Sequence, residues 1–210
     1  DDSEAIEVIS EMYRYIPRYV RVMRIRRDIP ADEVVAGTHL SNLREFVEKK
    51  CLEKGIVINE IRFREVGLQM WKYGKTPDPN HIEITRYTYE AGGGVEEFLA
   101  VEDTKNNIII GFLRMGIPSS RAHRREIDGK TAIIRELHVY GPELPVGARG
   151  FSWQHQGWGS KLLHRAERIA VEEYDIRKML VLSGVGVREY YRKYGYYRPP
   201  DSPYMHKILD

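Results

Sequence analysis

Cysteine is almost absent from this chain: Cys51 is the single thiol among 210 residues. That scarcity excludes an internal disulfide framework and any metal site built from clustered cysteines, and it fits a reducing, cytoplasmic setting. Long apolar runs are missing as well. No stretch approaches the roughly 20 residues a membrane helix requires, and nothing near Asp1 has the pattern of a signal peptide, so no membrane is expected among the partners. A surplus of one charge is also lacking, since 33 basic side chains face 31 acidic ones for a net +2; nucleic-acid contacts must therefore be sought in local patches. There are no internal repeats and no biased tracts. What is present is 42% hydrophobic content with ten scattered prolines, which suits a globular chain of one or two domains with a real core. The first residue is not Met, as expected of a fragment or a processed chain.

The two halves differ in character. Ile6, Ile9 and Tyr13 predict a helix from Ser3 to about Tyr15, closed by Pro17, and "RYVRVMRIRRDIP" reads as a short β-rich run. A clear amphipathic helix follows from about Thr38 to Lys54, with Leu40, Leu43, Phe46, Val47 and Cys51 on one stripe and Gly55 as its stop. On that stripe Cys51 reads as a small buried hydrophobe. Prolines and a glycine in "KYGKTPDPNH" mark a boundary near residues 74 to 80. Beyond it "HIEITRYTYE", "EEFLAVED" and "IIIGFLRMG", separated by short turns, predict an antiparallel meander of three strands. An arginine-rich loop, "SSRAHRREIDGK", leads to a fourth strand, "TAIIRELHVYG". Then come a loop, a helix over about Gly159 to Tyr174, the β run "KMLVLSGVG", a helix in "VREYYRKYGY" and a last strand near "YMHKIL".

Between the fourth strand and its helix stands "QHQGWGSKLLHRAERIA". Gln154, Gly157 and Gly159 fit Q-x-x-G-x-G at a helix entrance, where backbone N–H groups without intrahelical partners make a site for a diphosphate. A Cβ there would hold the phosphates off. Leu162, Leu163, Ala166, Ile169 and Ala170 form the stripe that seats the helix on the sheet. A dinucleotide-binding Rossmann site is disfavoured, because no third glycine opens the helix and no acidic residue ends a second strand about 20 residues on.

Strand, Q-x-x-G-x-G helix, strand and a tyrosine-bearing helix resemble the GCN5-related N-acetyltransferase (GNAT) superfamily. Closer still, "RELHVYG", "QHQGWG", "AERIA", "LSGVGVREYYRKYGY" and "PYMHKIL" resemble the acetyltransferase-like domain of the Elongator catalytic-subunit family and its archaeal members. "IPRYVRVMRIRRDIP", "NLRE" and "IRFREVGLQ" resemble the segment that closes that family's radical S-adenosylmethionine domain. The resemblance implies an α/β (α+β) fold with a GNAT-type mixed sheet over residues 75–210, preceded over residues 1–74 by the end of the radical domain and a smaller linker of helices and strands. It also implies an enzyme that makes 5-carboxymethyluridine at the wobble position of tRNA from acetyl-CoA, with S-adenosylmethionine as radical initiator. The family's iron–sulfur cluster needs three clustered cysteines, so it belongs to a domain outside this chain. Glu60 and Phe63 stand where certain relatives carry cysteines, so no metal is expected here. Elongator-type partner subunits, or a second copy of the chain, are implied partners.

On the same resemblance, Leu137, His138, Val139 and Tyr140 lie where a strand splays and accepts the pantetheine arm, and Trp158, Gly159, Ser160 and Lys161 match the diphosphate contacts. Tyr191 matches an acetyl-CoA contact whose hydroxyl would protonate a departing thiolate, while Tyr190 and Tyr194 are expected to pack their helix on the sheet. Glu136 and His138, two apart on one face of a strand, are candidates for a general base or for a hydrogen-bonded structural pair. Arg121, Arg124 and Arg125, with Arg24, Arg26 and Arg27 from the earlier run, are candidate phosphate contacts to tRNA. Two other functions stay open: a lysine or amine N-acetyltransferase, and a non-catalytic tRNA-binding module.

Overall fold

The computed structural model describes residues 1–26, 29–30, 33–141 and 157–210. The chain forms two compact units, Asp1–Thr76 and Pro77–Asp210.

In the first unit, α1 (Asp2–Met12) begins at a capping box. The Asp1 side chain accepts from the Glu4 N–H while Glu4 reaches back to the N-cap backbone. Helix α2 (Leu43–Glu53) packs beside α1, and two short helices follow, α3 (Ile61–Arg64) and α4 (Val66–Tyr73). Tyr13, Leu43, Val47, Cys51, Ile56, Ile58 and Phe63 form the core. Cys51 is fully buried, donates to the Ser10 carbonyl at 3.6 Å, and has its thiol pushed up to about 11 by burial. It is a packing residue. Phe46, expected on the same stripe, is half exposed, and α2 starts at Leu43 rather than Thr38.

The β-rich reading of "RYVRVMRIRRDIP" does not hold among the described residues, which contain no strand there. Glu60 explains why. Its buried carboxylate caps α3 by accepting from the Arg62 and Phe63 N–H groups and also takes the Val22 N–H, while the Ile61 N–H donates to the Val20 carbonyl. The run is thereby tied to a helix start instead of a sheet edge.

The second unit is a single six-stranded mixed sheet in the order β1 (Ile82–Ala91), β2 (Gly94–Asp103), β3 (Ile108–Ile117), β4 (Thr131–Val139), β5 (Lys178–Val181), β6 (Met205–Ile208). All neighbours are antiparallel except β4 and β5, which are parallel. Only that pair needs a long crossover, and α5 (Trp158–Tyr174) lies within it. Its stripe of Leu162, Leu163, Ala166, Ile169 and Ala170 is buried as expected, and each Leu or Ile so buried contributes roughly 1.5–3 kcal/mol. Glu97, buried on β2, accepts from Arg86 through both oxygens and from Tyr174 at the end of α5, so strand and helix are bonded as well as packed. A last helix, α6 (Arg188–Arg192), is shorter than the tyrosine spacing predicts. The architecture is the expected α/β mixed sheet with flanking helices.

Candidate functional site

The site begins with a strand that outruns its neighbour. Pairing of β4 with β5 covers Thr131↔Lys178 to Ile134↔Val181 and then stops, while β4 continues to Val139 with β3 as its partner. From Arg135 to Val139, one backbone edge therefore has no strand beside it among the described residues. Arg135 is the extra residue of a bulge, since Arg114 pairs with Glu136 but Met115 pairs with Ile134. A bulge bends the strand and increases its twist. On the other side β5 ends at Val181 and Leu182 is exposed.

The entrance of α5 meets the end of that strand. Gly157 is the N-cap, in the left-handed region at φ +73°, a conformation that costs a side-chain-bearing residue about 1–2 kcal/mol. Gly159 has a different reason to lack a side chain. A Cβ there would fall 2.8 Å from the Tyr190 hydroxyl and 3.8 Å from Val139 Cγ2. The end of β4, the first turn of α5 and α6 thus converge at Gly159. The first-turn N–H groups have no capping side chain, as an anion site at a helix start requires. Ser160 turns its hydroxyl back to the Gly157 carbonyl at 2.8 Å, and the exposed Lys161 ammonium lies 4.0 Å from the Trp158 ring centroid. The buried indole N–H of Trp158 has no partner among the described residues. Gln154 lies outside the described residues.

Tyr191 is 6% exposed, with its ring centroid 5.3 Å from that of Tyr190 and 5.6 Å from that of Tyr196. Burial raises its pKa above the usual phenol value, so the hydroxyl keeps its proton at neutral pH, as a proton donor must. Tyr190 and Tyr194 were expected to pack on the sheet. Instead Tyr190 presses on the α5 entrance, and Tyr194 meets His164 of α5 edge-on at 5.5 Å. Behind them a buried network holds the segment: Tyr196 donates to Glu167 at 2.8 Å, and Lys207 of β6 reaches the same carboxylate at 2.7 Å.

Glu136 and His138 have different neighbours. Glu136 is half exposed and lies 3.8 Å from Arg114, whereas the His138 ring is tilted against Tyr140 at 4.4 Å and lies near-parallel to Phe112 at 6.3 Å. Tyr140 itself is buried, and its N–H donates to the Ile110 carbonyl. Arg114 was missed from the sequence. It lies against the Phe98 ring and the Tyr89 hydroxyl; a lone arginine in the apolar "IIIGFLRMG" was the available signal.

The arginines divide. Arg26 donates to the carbonyls of Thr38, Leu40 and Ile29, which is a folding role. Arg24 is exposed and Arg27 lies outside the described residues. In the β3–β4 loop Arg124 is 3.6 Å from Glu126 and Arg125 donates to the Asp201 carbonyl, while the exposed Arg121 guanidinium has no carboxylate partner among the described residues.

Comparison with known proteins fits this geometry. The chain is 50% identical over 211 residues to a tRNA uridine(34) acetyltransferase of Methanocaldococcus jannaschii, and 43% identical over 208 residues to Elongator complex protein 3 of Mus musculus. It superposes on Elp3 of Methanocaldococcus infernus, lacking its N-terminus, with a TM-score of 0.89 at 50% identity over 99% of this chain and 49% of that one. Along its whole length the chain is similar to the C-terminal region of the Elongator catalytic subunit. Residues 1–53 also match the family described as the Radical_SAM C-terminal domain. The chain spans 38% of the Methanocaldococcus jannaschii relative and 37% of the mouse one. No helix among the described residues is long and apolar enough to cross a membrane.

Proposed function

We propose that this chain is the acetyl-CoA-binding, tRNA-contacting part of an enzyme that carboxymethylates the wobble uridine of tRNA. The observation that carries the proposal is the convergence at Gly159: a strand edge unpaired among the described residues, an open helix entrance and Tyr190, against whose ring the buried Tyr191 packs, come together there. That arrangement fits a thioester carried on a long arm with a diphosphate at its far end. In this reading residues 1–74 close the radical domain and link it to the acetyltransferase-like residues 75–210.

When bound, acetyl-CoA supplies the two-carbon group. Leu137, His138, Val139 and Tyr140 hold the pantetheine arm along the free edge of β4, and a backbone amide there polarises the thioester carbonyl. Gly157, Trp158, Gly159, Ser160 and Lys161 receive the diphosphate, where the helix dipole adds about 0.3–1 kcal/mol. Tyr191 gives its proton to the departing sulfur. Glu136, which lies 3.8 Å from Arg114, or His138 activates water for thioester cleavage. Arg121, Arg124 and Arg125 contact tRNA phosphates. The radical chemistry, with S-adenosylmethionine and an iron–sulfur cluster, belongs to the remainder of the protein, as do contacts to Elongator-type subunits.

The test is release of free CoA from acetyl-CoA by this chain, with and without tRNA. Release is expected to rise with tRNA and to fall roughly 10²–10⁴-fold in Tyr191→Phe, the range for a lost general acid. Acetyl transfer to peptide amines without tRNA would point to an N-acetyltransferase instead, and failure to bind acetyl-CoA would sink the site.

A further inference from the structure

A second cleft lies at the other end of β4, around the loop that precedes Thr131. It measures about 330 Å³, within the roughly 300–1,000 Å³ typical of ligand sites. The β1–β2 turn, with Gly92 and Gly94, lies on its wall, and Arg121, Arg124, Arg135 and Tyr204 line it too.

Each basic group has a different state. Arg135 is half exposed and its Nε–H is taken by the buried Glu96 at 2.7 Å. Arg124 lies 3.6 Å from the buried Glu126, and its guanidinium lies over the Tyr204 ring at 5.6 Å. Arg121 has no carboxylate within reach among the described residues and folds over the turn, where a Cβ on Gly93 would fall 2.6 Å from its Nη2. Gly93 sits at φ +77°. The bare backbone of that turn leaves the guanidinium room at the cleft wall, with its charge uncompensated.

A cation without a partner attracts an anion, but the neighbouring Arg124 and Tyr204 narrow the class. Both line the cleft, with the guanidinium over the ring at 5.6 Å, and single-stranded RNA bases stack on tyrosine rings and arginine guanidinium planes. The side chain of an acidic peptide would use Arg121 and leave that platform idle.

We propose that this cleft binds one unpaired nucleotide of the RNA substrate, with Arg121 on its phosphate and its base on the Arg124–Tyr204 platform. This rests on the tRNA reading above and adds a base-stacking subsite to the phosphate contacts proposed there.

The experiment measures tRNA binding to the 210-residue chain by anisotropy over a range of salt, for wild type, Arg121→Ala, Tyr204→Ala and Tyr204→Phe, with oligouridine and polyglutamate as competitors. Arg121→Ala is expected to lower the salt slope by about one. Tyr204→Ala is expected to weaken binding roughly 5- to 100-fold, and Tyr204→Phe, which keeps the ring, to leave it near wild type. If Tyr204→Ala does not fold by circular dichroism, the exposed Arg121→Ala and the oligouridine competition decide alone. Wild-type binding with unchanged slope and affinity in the folded variants overturns the cleft and leaves the tRNA reading standing. Displacement by polyglutamate but not by oligouridine also overturns it, in favour of an acidic protein partner. No tRNA binding by wild type overturns both.

Discussion

The two halves of β4 share one backbone and have opposite uses. Thr131 to Ile134 is buried and pairs with β5, its Ile133 and Ile134 with β3 as well, whereas Arg135 to Val139 has, among the described residues, only β3 beside it and carries the exposed Glu136 and His138. Four paired residues on the β5 side fix the strand, and the bulge at Arg135 marks where its work changes from holding the sheet to facing a ligand. The free edge can be left unpaired because the lower half and α5 already supply the burial. A site on a rigid strand keeps its geometry better than one on a loop.

Substitutions in the two halves should therefore separate stability from binding. The largest effect on stability is expected from Ile134→Ala, a buried position in the paired half. It should cost about 2–5 kcal/mol in urea unfolding. An equal loss at the exposed Glu136 would erase the distinction.

Next is the convergence point. Gly159→Ala should cost roughly 1–3 kcal/mol by overpacking against Tyr190 and should weaken acetyl-CoA binding. Adding Tyr190→Phe removes the clashing oxygen and should restore part of both. Additive losses in the double variant, measured by unfolding and calorimetry, would show that the two residues do not share the entrance.

Glu136→Gln should change stability by less than about 1 kcal/mol, because its pair with Arg114 is half exposed. Any fall in tRNA-stimulated CoA release would then report chemistry rather than folding.

The smallest effect belongs to the base of the paired half. Asp128 accepts from Lys178, Thr131 and the Lys130 N–H, and these bonds, Lys178 first, hold its carboxyl down at about 2. A depressed folded-state pKa contributes stability above the unfolded value and loses it as pH falls through the folded one. The window here is about pH 4 to 2. Since the side chain is mostly exposed, screening keeps the contribution under about 1 kcal/mol. In acid titrations the stability difference between wild type and Asp128→Asn should be constant above about pH 4 and should fade through that window.

Much of this was legible in the sequence where the signals were local. The meander, β4 and the stripe of α5 follow from turn residues and apolar periodicity, which depend on neighbours in the chain. Features set by distant partners were not legible. The run near Arg21 lost its β reading to Glu60, a capping residue 38 positions beyond Val22. The end of β5 at Val181 left "LSGVG" outside the sheet, and the reason for Gly159 lay in Tyr190, on a different helix. Arg26 read as a phosphate ligand, yet its donors are used on three carbonyls that only the folded chain brings to it.

The most direct test is amide hydrogen exchange of the whole chain with and without acetyl-CoA. Leu137 to Val139 and the first turn of α5 should gain protection on binding, while Ile133 and Ile134, already paired on both sides, should stay unchanged. Binding that protects neither β4's upper half nor the α5 entrance would contradict the division of the strand and the site built on it.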